Sequence, residues 1–68
     1  MNDESLNMSI RKLLKTVGIA SQREIEQAVS KAAAGGQIKG DESFPAKMTL
    51  DIPGLKLCVV FNGDITLE

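Results

Sequence analysis

The apolar positions of the chain change their period partway along it. Leu6, Ile10, Leu13, Leu14 and Val17 recur at spacings of four, three, one and three, which gathers them on one face of a helix. Asp3 and Glu4 lie near the positive end of that helix and Arg11, Lys12 and Lys15 toward its negative end, as the helix dipole favours. Gly18 can take the left-handed conformation that closes a helix, and Ile19 behind it can supply the apolar contact of a Schellman cap, so a first helix is predicted over about 3–17. Ser21-Gln22-Arg23-Glu24 has the form of a capping box, with the Ser21 hydroxyl and the Glu24 carboxylate each reaching the other residue's amide. Behind it Ile25, Ala28, Val29, Ala32 and Ala33 form a narrow, alanine-rich face, which predicts a second helix over about 22–34 stopped by Gly35-Gly36. Gly18 to Ser21 is too short to let two helices diverge far, so they are expected to form a helical hairpin or corner.

Beyond Pro45 the period becomes two. Ala46, Met48, Leu50 and Ile52 alternate with Lys47, Thr49 and Asp51 up to the break at Pro53-Gly54. Leu55, Leu57, Val59 and Phe61 alternate in the same way up to Asn62-Gly63, and Ile65 and Leu67 follow. Strands are thus predicted over about 45–52, 55–61 and 64–68, with 35–44 as an irregular link anchored by Ile38 and Phe44 and able to hold a short extra strand around 37–39. A slip of one residue would turn every side chain over, so parity fixes the expected pairing as Ile52 with Leu55, Leu50 with Leu57, Met48 with Val59 and Ala46 with Phe61. A three-residue loop with Gly63 as a bulge then pairs Val59 with Ile65 and Leu57 with Leu67. The solvent face would carry rows of Asp51, Lys56 and Glu68, of Thr49, Cys58 and Thr66, and of Lys47, Val60 and Asp64. The expected fold is α+β: two N-terminal helices packed on one face of a three-stranded antiparallel meander, ααβββ, as a single domain over 1–68.

Composition narrows the function classes. Sixty-eight residues with a net charge of −1 allow one small domain and exclude a multidomain enzyme, and 43% hydrophobic with 25% charged residues is a globular composition. A single core of this size is worth only about 3–5 kcal/mol, so self-association is a natural supplement. There is no His, Trp or Tyr, which removes the usual general base near neutral pH and most stacking side chains. Cys58 stands alone, so no internal disulfide can form, which points to a reducing compartment. An acidic N-terminus and a longest apolar run of Cys58-Val59-Val60-Phe61 support neither export nor membrane spanning, and a cytoplasmic location is expected. Leu67-Glu68 reads as native, since Leu67 continues its strand's alternation.

Three blocks carry a resemblance: Asn7-Met8-Ser9-Ile10-Arg11-Lys12, Ser21-Gln22-Arg23-Glu24-Ile25-Glu26, and Pro45-Ala46-Lys47-Met48-Thr49-Leu50 with Pro53-Gly54-Leu55. In order and spacing the chain resembles, over almost its whole length, a family of small bacterial proteins classed as a domain of unknown function. The resemblance implies a small bacterial protein and transfers no activity, cofactor or catalytic residue.

Few residues invite a chemical role. Met8 falls opposite the apolar stripe among Arg11, Lys12 and Lys15, so a thioether sits in a small basic patch able to dock an acidic partner or a phosphate backbone. An ordinary solvated face explains the same residues. The helix-turn-helix comparison fails on charge: the second helix would expose Arg23 and Lys31 against Glu24 and Glu26, so nucleic acid is not favoured as a partner. Gly35, Gly36 and Gly40 with Lys39 follow a helix C-terminus, whereas a phosphate loop leads into an N-terminus. Cys58 lacks a neighbouring base and, with Val60, makes a modest apolar strip on a polar sheet face, of the kind that marks association surfaces. The pairs Glu24 with Glu26 and Asp41 with Glu42 have no ligand spacing. No catalytic residue, metal ligand or cofactor is assigned. The expected function is a non-catalytic protein-interaction module for an unknown protein partner, with a homodimer through a strand edge or the Cys58 and Val60 strip as one form; the alternative is a weak nucleic-acid-binding or nucleoprotein accessory using Arg11, Lys12 and Lys15.

Overall fold

A computed structural model describes residues Met1–Glu68. The chain forms one helix, α1 (Asp3–Ala34), and a two-stranded antiparallel sheet of β1 (Ser43–Ile52) and β2 (Leu57–Thr66) joined by a 3-10 turn at Pro53–Leu55. It divides into two compact units, Met1–Gly35 and Gly36–Glu68.

The first unit corrects the expectation of two helices. Gly18 and the Ser21-Gln22-Arg23-Glu24 box both lie inside α1, and Gly18 keeps a negative, helical φ. An interior glycine costs a helix only about 1 kcal/mol, while Gln22, Arg23 and Glu24 are good helix formers with nothing to gain from a stop. The two apolar faces are in phase. Leu6, Val17 and Ala28 recur every eleven residues, as do Leu14 and Ile25, and eleven residues make about three turns. The N-terminal start near Asp3 is as expected, and the cap is Asn2, whose side-chain oxygen accepts from the N–H groups of Glu4 at 3.0 Å and Ser5 at 3.1 Å. The stop at Gly35-Gly36 is also as expected: the Gly35 N–H donates to the Lys31 carbonyl at 3.1 Å, and Gly36 takes φ 69°, where glycine alone is unstrained.

The second unit corrects the meander to a single hairpin. The turn is longer than the Pro53-Gly54 pair that was expected to form it. It spans Pro53 to Lys56, closed by the Lys56 N–H donating to the Pro53 carbonyl at 3.0 Å, with Lys56 in the left-handed region at φ 53°. Two extra turn residues shift the register by two, to Ile52 with Leu57, Leu50 with Val59, Met48 with Phe61, Ala46 with Gly63 and Phe44 with Ile65. A shift of two preserves parity, so the expected apolar face is the observed one although every expected pair has changed. Asn62-Gly63 does not turn; it continues β2 opposite Lys47 and Ala46, and the expected third strand is the far end of β2. The solvent rows become Asp51 with Cys58, Thr49 with Val60, Lys47 with Asn62 and Pro45 with Asp64. β1 begins at Ser43, and no strand forms around 37–39; there the Glu42 carboxylate accepts from the N–H groups of Lys39 at 2.9 Å and Gly40 at 2.8 Å.

Neither unit contains a buried residue, so neither has a core of its own. Leu14 is 63% exposed on the helix and Phe61 58% on the sheet. Phe44 pairs in the hairpin with 37% of its surface open, and Ile38 is half-buried, so neither anchors a core.

Candidate interaction surfaces

Three surfaces stand out, each built on one element. The first is the basic face of α1. Met8, Ser9, Arg11, Lys12 and Lys15 line one shallow groove along the helix, and Met8 is 65% exposed. The spacing of three and four residues along a helix puts these side chains side by side on the face opposite the stripe. A second shallow depression beside it is lined by Glu4, Asn7, Met8 and Arg11, so the basic face runs into the acidic first turn. The groove has the walls of a single helix, which suits a docked chain or surface better than an enclosed small molecule.

The second is the strip of Cys58 and Val60 on β2. Both are exposed and, two residues apart, they share a face as expected. Their surroundings differ from those expected. Asp51 stands opposite Cys58 and Thr49 opposite Val60, while Lys56 is drawn into the turn. A carboxylate rather than a cation faces Cys58, so the positive surroundings that a nucleophilic cysteine needs are missing. No group of three His, Cys, Asp or Glu residues is placed to hold a metal ion.

The third surface was read from the sequence as core: the stripe of Leu6, Ile10, Leu13, Leu14 and Val17, continued by Ile25. Each of these is exposed by 39–63% because its unit contains no second element to cover it. The sequence carried the signal for this in the eleven-residue phase linking both halves, which makes one long stripe rather than two short faces. The outer edge of β2 was foreseen only as an unspecified strand edge.

A long capped helix followed by a single β-hairpin defines a small α+β protein. The chain belongs to a family of unknown function (DUF6494), whose model matches residues 1–68. No curated protein and no solved structure matches it. No helix is long and apolar enough to cross a membrane.

Proposed function

We propose that the protein is a non-catalytic interaction module whose open apolar surfaces are completed by another polypeptide, with a second copy as the first candidate. One observation carries this. In a chain that is 43% hydrophobic, neither unit has a buried residue, and the α1 stripe has no second element within its unit to cover it. A helix in water owes most of its stability to packing of such a face rather than to propensity, and a lone hairpin is marginal for the same reason. The lone Cys58 supports action in a reducing compartment, the cytoplasm.

The test is whether α1 depends on association. Far-UV circular dichroism and amide exchange of the full chain, run beside sedimentation across a concentration series, are expected to show helix and protection rising as the protein associates. Full helicity with strong protection of Val17 to Ala28 in a species that sediments as one chain would remove this function.

The basic groove favours a second reading, a nucleic-acid or nucleoprotein accessory. Its cations are gathered on one face. Binding of a labelled oligonucleotide at low salt, lost steeply as salt rises and on Arg11→Ala with Lys15→Ala, is what that reading requires; no binding at low salt excludes it.

A further inference from the structure

We infer that the protein pairs with a second copy of itself along the outer edge of β2, making a four-stranded antiparallel sheet about a two-fold axis. This rests on the interaction function above and names its partner. The Leu67 N–H donates to the Glu42 carbonyl at 3.0 Å, so the pair Glu42 with Leu67 is hydrogen-bonded, and alternation along the register makes Phe44 with Ile65, Ala46 with Gly63 and Met48 with Phe61 hydrogen-bonded too. The intervening residues then point their N–H and C=O groups outward: Ser43, Pro45, Lys47, Thr49 and Asp51 on β1, and Cys58, Val60, Asn62, Asp64 and Thr66 on β2.

The two edges are unequal. β1 presents Pro45, which has no N–H to give, between the ends of a strand whose outward residues include charged Lys47 and Asp51; these are the usual devices that keep an edge from pairing. β2 has every donor in place and an uncharged run from Cys58 to Asn62. A head-to-tail pairing of β2 on β1 would propagate, and Pro45 opposes it, whereas β2 on β2 closes.

The residues of β2 also fit their own reverse. With Asn62 opposite Asn62 of the second copy, Phe61 lies over Gly63, Val59 meets Ile65 and Leu57 meets Leu67, so on the face of Leu57, Val59 and Phe61 each apolar side chain finds an apolar one or a glycine it can cover. On the other face Cys58 meets Thr66 and Val60 meets Asp64 of the second copy, so that face contributes backbone pairing rather than apolar contact.

The full chain tests this directly. Thr66→Cys places a thiol opposite Cys58 of the second copy, and mild oxidation is expected to give a disulfide-linked dimer. The wild-type chain should give none, because its two Cys58 residues lie about eight residues apart along the strand, about 27 Å at about 3.4 Å per residue. In the wild-type protein the amides of Val60, Asn62 and Asp64 should exchange slowly and those of Lys47, Thr49 and Asp51 rapidly. Val60→Pro, which removes an outward donor and leaves the hairpin's own bonds, should abolish dimerisation, and Thr49→Pro should not. Equal exchange on both edges, or a single chain at millimolar concentration, overturns the inference. A single chain with a frayed α1 would leave the interaction function standing, and a single chain with a fully protected α1 would remove both.

Discussion

Gly18, inside α1, and Gly36, just beyond its end, sit in opposite conformational circumstances, and substitution separates them. An alanine at Gly18 meets nothing within 4 Å and replaces the weakest helix former but proline in the middle of α1, so Gly18→Ala is expected to stabilise the helix by about 1 kcal/mol. Gly36→Ala should cost about 1 kcal/mol, because a Cβ at φ 69° is strained although space is available. Urea denaturation followed at the helix band checks both signs, and a destabilising Gly18→Ala would show that the helix breaks at Gly18 after all. Glu42 makes a pH prediction. The N–H groups of Lys39, and then of Gly40, hold its carboxyl below the usual glutamate value. A lowered value in the folded chain means that the contribution of this small cradle is complete above the ordinary glutamate range and is lost as the pH falls through the folded value. A carbon-13 titration should place the Glu42 midpoint below the ordinary glutamate value, with the Lys39 and Gly40 amides moving at the same midpoint; a Glu42 midpoint at the ordinary value would mean that the cradle does not form in solution.

Whole elements were legible where a signal had no competitor. The start of α1 at Asp3, its stop at Gly35-Gly36 and the period of two from Ala46 onward all match their elements. Elements were misread where a local motif was allowed to decide alone. Gly18 with Ser21-Gln22-Arg23-Glu24 resembles a stop and a restart, yet the same residues fit a helix interior, and only the phase between Val17 and Ala28 distinguishes the two cases. Asn62-Gly63 is a strong hairpin signal, but the turn at Pro53 to Lys56 already reverses the chain, and continuing β2 adds the pairs of Asn62 to Thr66 with Lys47 to Ser43. Parity survived because the error in register was two residues. Gly63→Ala tests the extended strand: with ordinary strand dihedrals and nothing within 4 Å of an added Cβ, it should be neutral or stabilising in thermal unfolding. In a type I′ turn, where that position needs a positive φ, the same change would cost about 1 kcal/mol.

At the scale of the molecule, the expected fold requires the apolar stripe and the apolar sheet face to share one small core. Periodicity identifies which side chains seek cover and is silent about what covers them. Leu13 and Met8 make that distinction measurable, since they lie on opposite faces of α1 and expose 50% and 65% of their surfaces. If the stripe stayed in water, truncating either side chain would change stability by less than about 0.5 kcal/mol, as surface substitutions do. If another polypeptide covers it, Leu13→Ala removes packed methyl groups from an interface and should cost about 2 kcal/mol or more, while Met8→Ala stays small. Coupling to association adds a second signature, because a ligand that binds only the folded form raises stability with its own concentration; the wild-type Tm should climb as protein concentration rises, and that of Leu13→Ala should start lower and climb later. Equal, small effects of the two substitutions, with a Tm independent of concentration, would show that the Leu13 face of α1 is not what the protein presents to a second copy.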